Sequence, residues 1–123
     1  MSCPFCEMPQ SRILVETSSA YVVHDGYPVT ALHSLIIPTR HVPDIWDLTP
    51  TELALCWELL SRQKDIIKAQ DNTVAGFNIG VNIGEVSGQT IYHAHIHLIP
   101  RRFGDVDEPR GGVRGVIPSK RAY

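Results

Sequence analysis

Alternating apolar and polar side chains divide much of this chain into short segments typical of β-strands. Two such segments flank a polar turn at residues 17–19, and an apolar run that follows ends at Pro38. Near the end of the chain two further segments alternate, and a glycine-bearing connection at residues 84–89 joins them. Because so short a connection favours antiparallel pairing, these two should be neighbours in one sheet. The predicted strands are residues 13–16, 21–25, 34–37, 77–83 and 90–99.

One helix is predicted between the third and fourth strands. Thr49 and Glu52 form a capping box, and Pro50 occupies the first helical position. Cys56 lies on the apolar stripe that follows and is interpreted as a packed core thiol. The order of elements predicts an α+β fold, an antiparallel sheet of about five strands with one main helix on one face. The stripe consists of Leu53, Cys56, Leu59, Leu60, Ile66 and Ile67, and Asp71-Asn72 ends it.

Composition places the chain among ordinary globular proteins. Its 123 residues are 43% hydrophobic and 20% charged, which suits a single domain over residues 1–123. The formal charge of −2 offers no general attraction for nucleic acid or an anionic membrane, and no nucleic-acid module is visible. No apolar run approaches the ~20 residues that a membrane helix needs. With no secretory signal and an odd number of cysteines, the expected location is the cytoplasm.

Three histidines alternate along the last predicted strand. His93, His95 and His97 should therefore share one face, while the intervening side chains face the core. Three titratable rings on one face of a half-buried strand favour a functional site over a structural role. The residues predicted to face the core are Tyr92, Ala94, Ile96 and Leu98.

Two kinds of chemistry fit this strand. A metal site is one, but the span from His93 to His97 is roughly 13 Å by strand rise, which strains convergence on one ion. Two separate tasks along the strand fit better. Covalent catalysis is the other, because a neutral imidazole is a good nucleophile toward phosphorus and histidine titrates near pH ~6.5. The preceding turn, Gly88-Gln89-Thr90, can supply backbone N–H groups and a hydroxyl to a developing phosphoryl charge.

The segment His93-Ala94-His95-Ile96-His97-Leu98-Ile99 resembles the motif of the histidine-triad (HIT) family, in which histidines alternate with apolar residues. The resemblance extends to the turn before it, to Pro100-Arg101, and to residues 25–38. It implies that His95 is the nucleophile and that His97 assists the leaving group. It further implies that the nucleotide is bound by Asp25 at the ribose and, around the phosphates, by Asn82, Gly88, Gln89 and Thr90.

The same resemblance implies an activity and a partner. Relatives hydrolyse nucleoside phosphoramidates or dinucleoside polyphosphates, generally without a catalytic metal, and are typically homodimers whose sheets join. Phe5, Val23 and Leu35 are candidates for an apolar slot that holds the base, although core packing explains them as well. Family members often have glycine where this chain has Leu32, next to His33, which is interpreted as a supporting or structural residue.

A C-x-x-C motif, Cys3-Pro4-Phe5-Cys6, opens the chain. A redox pair would need a βαβ context, which is not apparent, whereas a zinc site would need two more ligands. Similarity to several triad proteins implies a structural zinc bound by Cys3, Cys6, His41 and His93. A reduced, free cysteine pair is the alternative.

Other functions stay open at this point. A nucleotide-binding or scaffold protein would keep the pocket without needing His95 as a nucleophile, and a nucleotidyl transferase would hand the nucleotide to another phosphate. A zinc hydrolase would use the histidines to hold a catalytic metal. The basic, glycine-rich tail at residues 110–118 either closes over the phosphates, packs across a dimer, or is an ordered terminal segment with solvated arginines.

Overall fold

The computed structural model describes residues 2–123, and Met1 lies outside the described residues. One five-stranded antiparallel sheet, ordered β1-β2-β3-β5-β4, carries one helix. This confirms the predicted α+β architecture. The elements are β1 (Ile13–Glu16), β2 (Ala20–His24), β3 (Ser34–Pro38), α1 (Pro50–Gln70), β4 (Val74–Gly80) and β5 (Ile96–Arg102), with short 3₁₀ turns between and after them.

Helix α1 begins and ends where the local sequence predicts. The Thr49 hydroxyl accepts from the Glu52 backbone N–H at 3.1 Å, and the Thr49 N–H donates to the Glu52 carboxylate at 2.9 Å. Asp71 is the C-terminal cap. The buried stripe is narrower than the pattern indicates, because Leu53 and Ile66 remain 45% and 37% exposed.

The sheet has a core on each face. Against α1, alternate sheet residues pack on the helix stripe and form a cluster with Ala20, Val22, Ile36, Cys56, Leu59, Leu60, Ile67, Val74, Ile96 and Leu98. The opposite face is covered by the N-terminal segment, whose Phe5 packs in a smaller cluster with Tyr21, Val23, Leu35 and Ile37. The central strands β2 and β3 are thus buried on both faces of the sheet.

Strand β5 begins later and ends later than the alternation predicts. It starts at Ile96, so His93 and His95 lie in the segment before it, and only His97 is in the strand. Pairing with β3 stops at Ile36 and Ile96, and the Ala94 N–H instead donates to Val42 O at 2.7 Å. The prediction that Tyr92 faces the core is therefore wrong, since its side chain is 49% exposed.

The limits of β4 and the C-terminal end of β5 also differ from the prediction. Pro100 lies inside β5 opposite Phe77 and does not end it. The fourth strand comprises Val74–Gly80 where residues 77–83 were expected, because its pairing with β5 continues to Arg102. Of residues 2–123, no helix is both long and apolar enough to cross a membrane.

Candidate active site and metal cluster

A cavity of about 670 Å³ opens on the sheet face away from α1. The N-terminal segment, the β2–β3 turn, the loop before β5 and the start of β5 surround it. His97 projects into it from β5, between Leu35 on β3 and Gly80 on β4 in the sheet register. Because Gly80 has no side chain, the ring of His97 has open space on that side. His95 lines the same cavity.

His95 has one ring nitrogen committed to the backbone. Its Nδ1 lies 2.8 Å from the carbonyl oxygen of His93, and since a carbonyl only accepts, Nδ1 carries the hydrogen. Nε2 is then the atom with a free lone pair. The ring is 9% exposed and is packed edge-on by Phe5, with ring centroids 4.9 Å apart. This geometry turns Nε2, held in a fixed orientation, toward the cavity.

His97 is joined to His33, 64 residues earlier in the chain. The two rings approach at 3.0 Å between His33 Nε2 and His97 Nδ1. Burial lowers the pKa of His97 to about 4, with smaller contributions from His95 and His33 that outweigh the opposing effect of Asp25. Burial also lowers the pKa of His33, against the opposing charge of Asp25. Both rings are therefore neutral at pH 7.

Asp25 faces these two histidines as well as the cavity. Its Oδ2 is 3.5 Å from His33 Nε2 and 3.9 Å from His97 Nδ1, and its Oδ1 accepts from the Tyr27 N–H at 2.7 Å. The sequence pattern missed the contact between His33 and His97, because His33 precedes β3 and no local spacing connects it to the triad. The pairing of β3 with β5 brings them together.

The loop before β5 supplies the proposed phosphate contacts. Gly88, Thr90 and Asn82 all line the cavity, and Gly88 has φ +93°, a conformation that favours glycine. The Gln89 side chain is used within the loop: its amide N donates to Pro43 O and Ile91 O, and its oxygen accepts from a backbone N–H. Its backbone N–H is used within the loop as well, because it donates to Gly84 O at 3.2 Å.

The structure distinguishes among the three residues that were candidates for an apolar slot around the nucleotide base. Phe5 and Leu35 line the cavity. Val23 is fully buried beneath them and is not among the cavity-lining residues, so core packing accounts for it.

A second cluster lies behind the triad, where the two cysteines of the N-terminal motif meet two histidines. The potential ligand atoms of Cys3, Cys6, His41 and His93 all lie within 4.8 Å of one another. His93 is fully buried, and its Nε2 donates to Pro38 O at 2.7 Å, which leaves Nδ1 bare and 3.5 Å from Cys3 Sγ. The donor set and the exposed lone pair both fit a tetrahedral zinc ion.

The basic tail is folded on itself. Arg110 and Arg114 stack on the ring of Tyr123 at 4.8 and 4.9 Å, and the Arg121 guanidinium donates to the carbonyls of Glu108 and Arg110. The last described residue that lines the cavity is Ile99. These contacts support the interpretation of the tail as an ordered terminal segment.

Comparison with known proteins agrees with this geometry. The family model described as the HIT domain matches residues 7–104. The asymmetrical bis(5'-nucleosyl)-tetraphosphatase of Schizosaccharomyces pombe is 38% identical over 98 residues, which are 80% of this chain and 53% of that protein. The chain spans about half the length of the first curated relatives that it matches.

Two further matches bear on the chemistry. The adenosine 5'-monophosphoramidase HNT1 of Candida albicans is 29% identical over 108 residues, covering 82% of this chain and 71% of that protein. A crystal structure of a zinc-bound histidine triad family protein from Mycobacterium smegmatis superposes with a TM-score of 0.77 at 31% identity, covering 85% of this chain and 78% of that one.

Proposed function

Because this chain belongs to the HIT domain family, we propose that it is a nucleotide hydrolase that cleaves at the α-phosphate through a nucleotidyl-His95 intermediate. One observation carries the proposal: the hydrogen bond from His95 Nδ1 to the His93 carbonyl leaves Nε2 free at the cavity. A ring held only for binding would not need this orientation.

In the first step His95 Nε2 forms a bond to the α-phosphorus while the bond to the leaving group breaks, and its electron pair departs with that group. Thr90 and the ring of His97 border the space in which the phosphoryl charge develops, whereas the Gly88 N–H already donates to Glu85 O at 3.0 Å. In the second step a water oxygen forms a bond to the same phosphorus while the bond from phosphorus to His95 Nε2 breaks. The proton that water loses balances the anion expelled in the first step, and the nucleoside monophosphate leaves while His95 is restored.

Two substrate classes are consistent with the relatives. The name of the S. pombe protein describes cleavage of dinucleoside tetraphosphates, and that of the C. albicans protein describes an adenosine phosphoramidate. We extend both classes to this chain as candidates. Both place the scissile bond at the α-phosphorus of a nucleotide, where His95 attacks.

The test compares AMP release from adenosine 5'-phosphoramidate and diadenosine tetraphosphate by the wild type and by His95→Ala. His24→Ala is the matched control, because His24 is an exposed histidine on β2. We expect turnover and an adenylylated protein in the wild type and the control, and neither in His95→Ala. Nucleotide binding without an adduct or turnover would instead identify a binding or scaffold protein, and transfer of AMP to added pyrophosphate would identify a transferase.

We also propose that Cys3, Cys6, His41 and His93 bind a structural zinc. The bare Nδ1 of His93 and the proximity of the four ligand atoms support this. Metal analysis of the purified protein should find one zinc per chain, lost in the double variant Cys3→Ser/Cys6→Ser and kept in Cys56→Ala. Cys56 is the third cysteine and is a buried residue of α1, in the core between the helix and the sheet.

The protein is further proposed to form a homodimer. Strand β4 is an edge of the sheet, with unpaired backbone groups on one side. Leu53 and Trp57 on α1 are 45% and 56% exposed, so the helix presents apolar surface to a partner. Light scattering should show a dimer that Trp57→Glu dissociates. Trp46→Glu should leave it intact, since Trp46 is exposed on a separate 3₁₀ turn.

A further inference from the structure

The hydrogen positions on His33 follow from its backbone partner. The Val29 backbone N–H lies 3.0 Å from His33 Nδ1, and an amide N–H only donates. Nδ1 must therefore be bare, so the neutral ring of His33 carries its hydrogen on Nε2. His33 is 2% exposed, which leaves little freedom for the ring to turn.

The hydrogen position on His33 determines which nitrogen of His97 carries a hydrogen. His33 Nε2–H lies 3.0 Å from His97 Nδ1, so that nitrogen accepts and is itself bare. The neutral ring of His97 then has its hydrogen on Nε2. Because the ring lines the cavity and Nδ1 is occupied by His33, the Nε2–H is the group offered to a substrate.

A metal ion is the competing occupant of this cluster, since Asp25, His33 and His97 also bring potential ligand atoms within 4.8 Å of one another. A metal on His33 Nε2 would require the hydrogen to move to Nδ1. Two N–H groups, of His33 and Val29, would then face each other at 3.0 Å. The cluster is therefore built as a chain of hydrogen bonds, with Asp25 beside it.

A hydrogen bond from α1 supports the turn that contains His33. Leu32 has φ +73°, the one positive value at a non-glycine position among residues 2–123. The Ser34 hydroxyl donates to the Leu32 carbonyl at 2.9 Å, and the amide of Gln63 on α1 donates to Ser34 at 3.1 Å. These bonds hold a strained turn in place on both sides of His33.

We propose that His33 is a positioning residue that locks His97 in one neutral form, so that His97 Nε2–H donates a hydrogen bond to the departing group. The inference rests on the proposed function. When the bond from phosphorus to the leaving atom breaks, its electron pair stays on that atom, and His97 donates to the developing anion. For an oxyanion leaving group, such as a phenolate or a polyphosphate, this hydrogen bond suffices and His97 keeps its hydrogen. The departed anion is balanced by the proton that water releases when it attacks the nucleotidyl-His95 intermediate.

The test uses aryl esters of AMP whose phenol leaving groups differ in acidity. Weakly acidic phenols depart with more localised charge and depend more on the donor. We expect His33→Leu to lose about 100-fold in kcat/KM on the phenyl ester and less than about 10-fold on the 4-nitrophenyl ester. His33→Gln, whose amide is also a donor, should recover much of the phenyl-ester activity. His24→Leu is the exposed control.

A uniform loss across the esters would show that His33 has only a structural role and would overturn the inference. ¹⁵N NMR of the wild type, with His97 assigned from the spectrum of His97→Ala, gives a reading that does not depend on folding of the His33 variants. Hydrogen on Nε2 at pH 7 supports the proposal, and hydrogen on Nδ1 or on both nitrogens overturns it. Failure of the wild type to form a nucleotidyl adduct with any ester would instead contradict the proposed function.

Discussion

Two histidine-containing clusters in this protein are equally compact but present different hydrogen-bonding atoms to their neighbours. One joins Cys3 and Cys6 to His41 and His93, and the other joins Asp25 to His33 and His97, each with ligand-type atoms within 4.8 Å. The difference lies in one backbone contact of a buried histidine in each cluster. The first ring donates to a carbonyl and so turns a bare nitrogen toward its neighbours, whereas the second accepts from an amide and turns an N–H toward them.

Residue type alone therefore does not distinguish a metal site from a hydrogen-bonded chain. His95 lies between the clusters and is connected to both, since its Nδ1 donates to the His93 carbonyl and its ring contacts that of His97 at 5.2 Å. We expect perturbation of either cluster to reach the nucleophile, by different routes and with different measurable consequences.

The largest effect should come from the nucleophile itself. His95→Ala removes the nitrogen that we propose forms the covalent intermediate, and we expect kcat to fall by ~10³-fold or more. Metal content should not change, because His95 is not among the four clustered ligands. Near-normal turnover in this variant would remove the basis for assigning different roles to the two clusters.

Metal removal should affect the cysteine cluster alone. A ligand that binds only the folded state at ~1,000 times its Kd adds about 4 kcal/mol to the free energy of unfolding. Chelation should therefore lower the Tm of the wild type markedly and leave that of Cys3→Ser/Cys6→Ser unchanged. His33→Gln should keep the full response to chelator. A reduced response in that variant would mean that the second cluster also binds metal.

Phe5 tests the connection between His95 and the cluster of Cys3, Cys6, His41 and His93. Its ring lies between Cys3 and Cys6 in the sequence and packs on both His93 and His95, at centroid distances of 5.8 and 4.9 Å. Phe5→Ala should lower the free energy of unfolding by about 3 kcal/mol, because Phe5 is only 7% exposed and its truncation would leave a cavity. Phe5→Leu should retain most of this stability. Urea unfolding measures both, and equal stability of Phe5→Ala and the wild type would contradict the packing role.

Acid should destabilise the second cluster. The pKa of His97 is near 4 in the folded state, below the usual 6.5, because of burial and then His95 and His33, with Asp25 opposing. As pH falls below 6.5, the unfolded chain takes up this proton first, so the stabilisation is complete above that pH and is lost toward pH 4. The contribution is at most about 3 kcal/mol.

Urea unfolding of the zinc-free protein at pH 7 and pH 4 measures this loss. His97→Gln should show a smaller difference between the two pH values than the wild type, whereas His24→Gln should match the wild type. The same pH dependence in His97→Gln and the wild type would place the titration elsewhere.

Leu32→Gly should have the smallest effect. Glycine relieves the strain of φ +73°, worth about 1 kcal/mol, but loses the packing of the Leu32 side chain against the core under α1. We expect the free energy of unfolding to change by less than about 1 kcal/mol and kcat/KM on the phenyl ester to change little. A large loss of that activity would mean that the leucine side chain itself helps to position His33.

Local sequence signals predicted local structure well. The capping box at Thr49 and the stop at Asp71 predicted α1 almost to the residue, because both depend on contacts within one turn. The alternation also predicted the first strands, the antiparallel pairing of the last two and the burial of Ala94, Ile96 and Leu98. It failed at residues 91–95, where Val42 in a distant loop replaces a strand partner.

For the candidate site, too, some features were predicted from the sequence and others were seen only in the structure. The triad motif, the nucleotide contacts and the zinc ligands were inferred from the sequence and its resemblance to a family, and their roles stay predictions. The structure brings Cys3 and Cys6 to His41 and His93, and places Asn82, Gly88 and Thr90 on the cavity of His95. It also separates Val23 from that cavity, which the sequence did not do.

By itself, then, the sequence determined which groups are present and how they repeat along the chain, since helix caps, strand alternation and the His-x-His-x-His spacing are local properties. Only the tertiary structure decided which nitrogen of each buried ring carries its hydrogen. That choice depends on whether a carbonyl, as at Pro38, or an amide, as at Val29, faces the ring. Such a partner comes from a different part of the fold for His93 and from a tight turn for His33, and no sequence pattern specifies its direction.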